Sequence, residues 1–396
     1  MFRLGRKLPV PEDLLRRLRR ELSDLEAKDR LRSLRRYDSS KVDFGSNDYL
    51  GFALNEKLRE KAVAAAKQVA LSSSSSRLLP GHHREHLEAE QCFAEFVGGE
   101  SALFFNSGWD ANHALLTTLP TRHDIIIYDE RSHASIYDGV HASIARSLRF
   151  DHNSAEDLET KIERVRRKNP NGQLFVVLES VYSMDGDVAE LRSIADIAQK
   201  HSAILIVDEA HATGVLGPKG KGLTSTLVQR DDLVISMHTC GKAFGASGAF
   251  VVANRTITEY LINKARGFIY TTALPPIIPI QIIASIELLK EHGELMTKRL
   301  QERSTFVRES LQNMLREWQV PDGVTPIIPV IIGSDANALR AATSLNERGF
   351  IVPAVRPPTV PEGSARLRMN VSLRHTEEEL ENVVNAIVET ESELIS

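Results

Sequence analysis

Residues 204–217 read ILIVDEAHATGVLG, and residues 236–250 read SMHTCGKAFGASGAF. The first segment opens with branched apolar residues and stops at Asp208, as a buried parallel strand does where its carboxyl end opens on a crevice. The second segment follows the apolar residues 233–235 and leads to Lys242. Because neighbouring parallel strands end at the same edge of a sheet, the pattern predicts that Asp208 and Lys242 meet at one site.

A lysine and a carboxylate in one crevice are the pair that pyridoxal phosphate (PLP) chemistry requires. The amine holds the cofactor through its aldehyde, and the carboxylate keeps the pyridine nitrogen protonated so that the ring accepts electrons. His211, three residues after Asp208, is near enough in sequence to orient that carboxylate or to meet the phenolic oxygen of the ring. Thr239, three residues before Lys242, can offer its hydroxyl to the phosphate.

The two segments resemble motifs of a known enzyme family. DEAHxxGxxG at residues 208–217 and TxGKAFG at residues 239–245 are similar to motifs of the α-oxoamine synthases, a family of fold-type I PLP enzymes. The resemblance extends from about Asn47 to His375. It implies that PLP is the cofactor and that Lys242 holds it.

The resemblance also implies an α/β fold with a large domain, whose mainly parallel sheet is covered by helices, and a smaller α+β C-terminal domain. The chain agrees with this fold, because short apolar runs alternate with helical segments. Strands are predicted at residues 102–105, 125–129, 174–179 and 203–207, with helices over 187–201 and from 280 to about 318. The predicted units are a helical arm (1–46), the large PLP-binding domain (47–285) and the small C-terminal domain (286–396).

The composition is that of a globular chain. Its 396 residues are 42% hydrophobic, and the formal net charge of -4 gives no basic footprint for nucleic acid. Cys92 and Cys240, the two cysteines, are too few for a disulfide framework. No apolar run reaches membrane-spanning length, and residues 1–10 lack the core of a signal peptide. We therefore expect a cytoplasmic protein that binds neither membranes nor nucleic acid.

A phosphate site is predicted directly after the strand at residues 102–105. The chain continues as NSGWDAN over residues 106–112 and then turns helical. The backbone N–H groups of Gly108 and Trp109 are therefore expected at a helix start, where anions bind. His133 lies in a segment that resembles the family's HASxxDG motif, and this resemblance implies that its ring stacks on the pyridine ring.

Several polar residues are assigned by resemblance to the substrate. Asn47 opens the NDYLG motif, and Ser76 begins the segment SRL, which places both near the substrate amino acid. Ser76 also ends the serine run 72–76, which by itself indicates a flexible linker. Ser183 of the SMDG motif would meet the phenolic oxygen or the substrate carboxylate. Arg368 matches the family's carboxylate-binding arginine, whose planar guanidinium suits a carboxylate.

The N-terminal segment predicts an amphipathic helix from Pro11 to Arg36, with leucines at positions 14, 15, 18, 22 and 25. Its many arginines are interspersed with acidic residues and indicate a solvated face. In the family, an arginine of this segment helps to hold the acyl substrate. Arg32 is the candidate here.

Two further features concern partners and metals. Thr271 and Thr272 precede ALPP and read as an ordinary loop from the residues alone. The resemblance instead implies that they donate to the PLP phosphate of a neighbouring subunit, and hence a homodimer with shared active sites. No metal site is predicted, because the histidines at 82, 83 and 86 lack carboxylates or thiols at metal-ligand spacing.

The resemblance implies condensation of a small amino acid with an acyl-CoA thioester, giving an α-amino ketone, CoA and CO2, with Lys242, His133, Asp208 and His211 as the catalytic residues. L-alanine and a pimeloyl thioester, as used in biotin biosynthesis, are the preferred substrates. Condensations like those of glycine C-acetyltransferase, 5-aminolevulinate synthase or serine palmitoyltransferase remain open. An aminotransferase reaction is less favoured, because TxGKAFG and RPPTVP at residues 356–361 point away from it.

Overall fold

The computed structural model describes residues 12–34, 36–169, 171–227 and 233–395. The signal-peptide prediction concerns residues 1–10, which lie outside these ranges. The helices are α1 (Glu12–Ala27), α2 (Glu56–Ala66), α3 (Arg84–Val97), α4 (Gly108–Thr118), α5 (Ala134–Ala142), α6 (Ala155–Lys168), α7 (Leu191–Lys200), α8 (Arg255–Lys264), α9 (Arg266–Ile269), α10 (Ile277–Met314), α11 (Asp335–Glu347) and α12 (Glu377–Ile395).

The strands form one large and two small sheets. They are β1 (Val42–Asp43), β2 (Ser101–Phe105), β3 (Ile125–Asp129), β4 (Arg146–Phe150), β5 (Leu174–Glu179), β6 (Ile204–Asp208), β7 (Val234–Thr239), β8 (Ala249–Ala253), β9 (Ile327–Gly333), β10 (Phe350–Ile351), β11 (Ala354–Val355) and β12 (Ala365–Asn370). Short 3-10 turns occupy Phe52–Leu54, Pro218–Gly220 and Thr224–Thr226.

The large sheet has seven strands in the order β2-β8-β7-β6-β5-β3-β4. β8 runs antiparallel to both of its neighbours, and the other neighbouring strands run parallel. Side chains of β3 alternate between the two faces, as a strand requires. Ile125 and Ile127 pack with α6 and α7, whereas Ile126 and Tyr128 pack with α4 and α5. The prediction of a mainly parallel sheet covered by helices is therefore confirmed.

The carboxyl edge of this sheet gathers the polar residues of the predicted site. β6 ends at Asp208 and lies beside β5, whose last residue Glu179 is its register partner. On the other side β7 ends at Thr239, three residues before Lys242. Three adjacent parallel strands thus open on one crevice, as expected for a doubly wound sheet.

The C-terminal part contains the antiparallel sheet β11-β12-β9, and α11 packs against β12 and α12. β1 pairs with β10, and the segment around residues 42–43 therefore packs with this C-terminal part. The predicted boundary at 285/286 falls inside α10, a helix of 38 residues that contacts both α3 and α12. The domain limits themselves stay predictions.

Two predicted helices are shorter than expected. The helix predicted from Pro11 to Arg36 ends at Ala27, because Asp29 adopts a left-handed conformation and the Arg30 N–H caps the Leu25 carbonyl at 2.8 Å. The helix predicted over 187–201 begins only at Leu191. Within the described ranges, none of the helices combines the length and the apolar character that a membrane span requires.

Candidate active site

Lys242 lies in a tight loop between β7 and β8. Backbone hydrogen bonds close this loop from Gly245 N–H to the Lys242 carbonyl and from Ala246 N–H to the Cys240 carbonyl, both at 2.9 Å. Gly245 has a φ of +60°, and a Cβ there would lie 2.3 Å from the Ala53 nitrogen, so the turn requires glycine. The loop therefore holds Lys242 at a fixed position against the sheet edge.

A cavity of about 160 Å³ surrounds the Lys242 side chain. Its lining brings together most of the predicted cofactor residues with others: Gly108, Trp109, Asn112, His133, Ser135, Glu179, Asp208, Ala210, Met237, Thr239 and Lys242. Burial disfavours the charged ammonium and, although Asp208 and Glu179 oppose this effect, lowers the pKa of Lys242 to about 8. An amine with this pKa can act both as a nucleophile and as a base near neutral pH.

Asp208 is buried and is held by two donors. Asn112 Nδ2 donates to Asp208 Oδ2 at 2.8 Å, and the Ala210 N–H donates to Oδ1 at 2.8 Å. Asn112 also donates to Ser135 Oγ at 3.0 Å, and Ser135 lies 2.8 Å from His133 Nδ1. Asn112 and Ser135, which the sequence reasoning missed, thus connect Asp208 to His133.

His133 presents its ring at the open side of the cavity. The Ser135 N–H donates to His133 Nδ1 at 3.2 Å, so the imidazole caps helix α5 and cannot rotate freely. Trp109 contacts the ring edge-on, with centroids 6.1 Å apart. An exposed, fixed ring at this position can stack on a flat ligand, as predicted for His133.

Helix α4 begins at the other end of the cavity. Its cap, Ser107, accepts the Asp110 N–H at 3.1 Å, and the first helical residues, Gly108 and Trp109, line the cavity. A Cβ on Gly108 would lie 3.5 Å from the Cβ of Thr239, so the helix start and this hydroxyl residue are adjacent. Backbone N–H groups at a helix start together with a hydroxyl suit a phosphate.

The donor set fits PLP part by part. With PLP in this cavity, Lys242 would provide the amine for its aldehyde, Asp208 the carboxylate for its ring nitrogen, and His133 a ring for stacking. Gly108, Trp109 and Thr239 provide the phosphate end. The cavity also contains a buried atom without a hydrogen-bond partner in the described structure, Glu179 Oε1, as expected where a ligand completes the site.

Glu179 is a second cavity carboxyl that the sequence reasoning missed. It is 2% exposed and stands beside Asp208 on the neighbouring strand. Burial and the adjacent Asp208 charge raise its pKa well above the usual range, and the His133 backbone N–H only partly opposes this. This shift favours the protonated form of Glu179. Its position at the end of an apolar strand, like that of Asp208, was the available signal.

His211 lies in a second cluster beside the cavity, where it meets the predicted substrate residues. Tyr49 Oη is 2.7 Å from His211 Nδ1 and 3.2 Å from Asn47 Oδ1. Arg368 Nη1 donates to Asn47 Oδ1 at 3.1 Å, and Arg368 Nε donates to the Ser183 carbonyl at 2.6 Å. The structure thus connects four residues that the sequence analysis predicted for the site. Tyr49 links His211 to Asn47, and Arg368 links Asn47 to Ser183. Tyr49 lies inside the NDYLG motif, which is the only signal that the sequence offers for it.

An outer cavity of about 670 Å³ adjoins this region. His133 lines both cavities, and Ser183 and Arg32 line the outer one. Arg32 Nη2 donates to Thr359 Oγ1 of the RPPTVP segment at 3.2 Å. Arg32 therefore lies at the outer cavity beside the RPPTVP segment, and its predicted contact with the acyl substrate stays a prediction.

Thr271, Thr272 and Ser76 form a separate group. Ser76 and Thr272 face each other in a single antiparallel bridge, and Asn106 Nδ2 donates to the Thr272 carbonyl at 2.8 Å and to Thr271 Oγ1 at 3.3 Å. Asn106 is two residues from the start of α4. These residues lie together near the phosphate end, and their predicted roles stay predictions.

Of the three histidines near residue 82, His82 and His86 form hydrogen bonds within the protein. Arg77 Nε donates to His82 Nδ1 at 3.0 Å, and His86 Nε2 bonds to the Leu274 carbonyl at 2.9 Å. Elsewhere Glu159, Glu163 and His201 approach one another, but Lys200 already donates to Glu159 at 2.6 Å. The prediction that no metal binds is not tested by these contacts.

Comparison with known proteins relates this site to a family. The family model described as aminotransferase class I and II matches residues 39–387. The 8-amino-7-oxononanoate synthase of Trichlorobacter lovleyi is 40% identical over 352 residues, which cover 89% of this chain and 89% of that protein. The chain belongs to the α-oxoamine synthases of the aminotransferase class I and II family.

Solved structures agree with this family. A serine palmitoyltransferase from S. paucimobilis with PLP joined to myriocin superposes with a TM-score of 0.88 at 27% identity, covering 98% of this chain and 99% of that chain. The 8-amino-7-oxononanoate synthase from Francisella tularensis gives a TM-score of 0.74 at 30% identity, covering 91% of this chain and 100% of that chain. The predictions of fold type I, of PLP as cofactor and of a PLP-dependent acyltransferase are confirmed.

Proposed function

We propose that this α-oxoamine synthase condenses L-alanine with a pimeloyl thioester, as in biotin biosynthesis. The observation that carries the proposal is the pair of cavities that meet at His133. The inner one holds Lys242 and Asp208, and the outer one, about 670 Å³, extends to Arg32. An acyl transfer needs room for a long thioester beside the amino acid. The relatives named 8-amino-7-oxononanoate synthase support the same reaction.

The cofactor supplies two things when bound: an aldehyde that links to an amine, and a protonated ring that takes up the electron pair left at the amino acid's Cα. Lys242 would hold the aldehyde of the cofactor, and its free amine would remove the α-proton of the amino acid. Its pKa of about 8 suits both tasks. Asp208, fixed by Asn112 and Ala210, holds the proton of the ring nitrogen.

Arg368 is proposed to hold the carboxylate of the amino acid. A guanidinium has five N–H groups, and those of Arg368 are directed in part at Ser183 and Asn47. The remaining N–H groups can bind a carboxylate. Arg368 is 6% exposed, and water therefore competes little for its hydrogen bonds. Asn47 lies beside this carboxylate position, held by Arg368 and Asn370.

The atoms of the proposed reaction balance with one proton taken up from solvent, because the CoA sulfur and Cα each gain a proton and only the α-proton is released. Cα loses its proton to Lys242, a bond forms between Cα and the thioester carbonyl, and the C–S bond breaks to release CoA. The amino acid's carboxylate then leaves as CO2, and Cα takes up a proton. Arg32, at the outer cavity, is proposed to hold the distal carboxylate of a pimeloyl chain.

A CoA-release assay over a matrix of substrates tests this proposal. L-alanine, glycine and L-serine would each be combined with pimeloyl-, acetyl-, succinyl- and palmitoyl-CoA, with Lys242→Ala as the inactive control. L-alanine with pimeloyl-CoA should give the highest kcat/KM. A clear preference for glycine with acetyl- or succinyl-CoA, or for L-serine with palmitoyl-CoA, would replace the proposal by the corresponding relative. Amino transfer to a 2-oxo acid without CoA release would point to an aminotransferase.

We also propose a homodimer in which Thr271 and Thr272 complete the phosphate site of the other subunit. Thr272 is exposed, and the segment is held outward by Asn106 and Ser76, so its hydroxyls can reach a neighbouring copy. A twofold axis would repeat the contact in both sites. In the competing arrangement, the two threonines contact the phosphate in the site of their own chain. Asn106, which holds them, lies just before α4, where that phosphate is predicted to bind.

Subunit exchange separates these two arrangements. One parent carries Lys242→Ala, and the other carries Thr271→Ala and Thr272→Ala. If the sites are shared, each heterodimer contains one site with neither lesion, and the mixture should be more active than either parent. A mixture confirmed to contain heterodimers that stays at the level of its parents would contradict shared sites.

A further inference from the structure

We propose that Tyr49 is a positioning residue that fixes the proton of His211 on Nε2 and connects this imidazole to Arg368. The inference concerns the site of the proposed condensation and rests on that function for its kinetic consequence only. Tyr49 is fully buried, and His211 is 4% exposed. Their hydrogen bond, 2.7 Å long, joins residues 162 positions apart in the sequence.

The direction of this hydrogen bond follows from the groups around Asn47. Arg368 can only donate, so the atom of Asn47 that it contacts at 3.1 Å is the carbonyl oxygen Oδ1. Asn370 Nδ2 donates to the same oxygen at 3.2 Å. Oδ1 thus already accepts from two N–H donors, and the Tyr49 hydroxyl, which has a single proton to give, is 3.2 Å from it.

The Tyr49 proton is thus directed to His211 Nδ1, at the shorter distance of 2.7 Å. The positive charge of Arg368 also lies near the Tyr49 oxygen, which favours donation of the tyrosine proton. Burial raises the pKa of Tyr49 to about 12, although Arg368 opposes this, so the hydroxyl keeps its proton. A donor at Nδ1 requires that this nitrogen be the acceptor, which leaves Nε2 as the N–H group of the ring.

The charge environment of His211 supports a single proton on the ring. Burial lowers the pKa of His211 well below its usual value, and the nearby positive charges of Lys242 and Arg368 lower it further. A neutral imidazole with its proton on Nε2 is a donor on the side away from Tyr49. The Nε2 N–H can then donate to the phenolic oxygen of the cofactor, whereas an imidazole protonated only on Nδ1 has no donor on that side.

The alternative is that Tyr49 only fills space in the hydrophobic core to which it belongs. Tyr49→Phe distinguishes the two explanations, because the ring stays and only the hydroxyl is lost. A structural role predicts a loss of stability without a change at His211. The positioning role predicts that the His211 proton redistributes between its two nitrogens.

The test is ¹⁵N NMR of the PLP-loaded full-length protein labelled with ¹⁵N-histidine. The chain has 13 histidines, and the signals of His211 are assigned by their loss in His211→Asn. In the wild type His211 should be neutral, with its proton on Nε2. In Tyr49→Phe the signals should shift towards a mixture of both tautomers, and the pH titration of the visible cofactor absorbance should shift with them.

Tyr182→Phe is the matched control. Tyr182 is also buried and donates to a carboxylate, Asp129 Oδ2, at 2.7 Å, so this variant loses a comparable buried hydroxyl. It should leave the His211 tautomer unchanged. Under the proposed reaction, Tyr49→Phe should lower kcat by about tenfold, since one positioned hydrogen bond contributes about 1.4 kcal/mol. KM for the amino acid should change less than kcat.

A wild-type His211 with its proton on Nδ1 would overturn the proposal and needs no variant. An unchanged tautomer in Tyr49→Phe would overturn it as well. Neither result depends on which amino acid or thioester is used, so failure of the proposed condensation would leave the tautomer measurement valid. A tautomer shift without CoA release from any substrate pair would instead support the positioning role and contradict the proposed reaction.

Discussion

His211 and His152 both lie near the carboxyl edge of the seven-stranded sheet, and the charges around them are opposite. His211 Nδ1 lies 2.7 Å from the hydroxyl of Tyr49, and burial with the nearby Lys242 and Arg368 lowers the pKa of His211. His152 lies between two carboxylates, with Nδ1 3.0 Å from Asp129 and Nε2 2.9 Å from Asp187. Burial opposes its charge, but these carboxylates outweigh burial and raise its pKa to about 9.

The difference shows that the same edge of the sheet carries a structural ion-pair cluster around His152 and a ligand cavity near His211. Around His152 the charges are paired, and the cluster connects the ends of β3 and β4 to the segment after β5. Near His211 the cationic Lys242 lines a cavity, where it can receive an anionic or electrophilic group of a ligand. The strong effects of mutation should therefore be catalytic at the cavity and conformational at His152.

Lys242→Ala should produce the largest loss of activity among these variants, and it should leave the cluster around His152 unchanged. Loss of the amine removes both the anchor for the cofactor and the proposed base, so turnover should fall by more than about 10³-fold. The visible absorbance of the linked cofactor should also disappear, while the thermal unfolding midpoint of the apoprotein changes little. Retention of that absorbance would contradict the role of Lys242.

Asp208→Asn should have the next largest effect. An amide cannot hold the ring proton, and removing one member of a buried charge pair costs roughly 3–5 kcal/mol. We expect kcat to fall by about 10² to 10⁴-fold, since about 1.36 kcal/mol corresponds to a tenfold change. Far-UV circular dichroism should match the wild type. Activity within a few-fold of the wild type would make Asp208 a structural residue only.

His152→Gln tests the other side of the comparison through pH. The pKa of His152 is raised on folding from 6.5 to about 9, so its charge stabilises the native state fully below pH 6.5. This contribution is lost as the pH rises through about 9, and it amounts to at most about 3 kcal/mol. Wild type should therefore lose stability relative to His152→Gln over this range, as measured by urea denaturation. Parallel pH profiles of the two proteins would rule out a charged His152.

Glu179→Gln should have the smallest effect. Burial and the adjacent Asp208 charge raise the pKa of Glu179 and so favour its uncharged form, and glutamine keeps its size and an uncharged polar group. We expect kcat within about fivefold of the wild type, because one neutral hydrogen bond changes by about 1 kcal/mol or less. Glu179→Asp is the control that keeps the acid but shortens it. A loss in Glu179→Gln as large as that in Asp208→Asn would show that Glu179 acts as an anion.

The strand ends were predictable because their signal is local. β3 and β5 match the predicted residues 125–129 and 174–179, and both Asp208 and Lys242 follow apolar runs. Long helices were predicted with their ends misplaced, since caps such as the left-handed Asp29 depend on the backbone conformation of one residue. The family resemblance, not periodicity, supplied the roles of His133, Ser183 and Arg368.

The connecting residues were not predictable, because their partners are distant in the chain. Asn112 contacts Asp208 across 96 residues, and Tyr49 contacts His211 across 162. Each has an ordinary structural explanation when read alone, as a helical polar residue or a core aromatic ring. Their role emerges only when the fold brings both partners to one sheet edge.

The central claim is that Lys242 holds PLP at the carboxyl edge of the sheet, opposite Asp208. The most direct measurement is borohydride reduction of the PLP-loaded protein, followed by digestion and mass spectrometry of the peptides. The account predicts a phosphopyridoxyl group on the peptide that contains Lys242 and its absence from that peptide in unreduced protein. A label on another lysine, or cofactor that dissociates entirely after reduction, would contradict it.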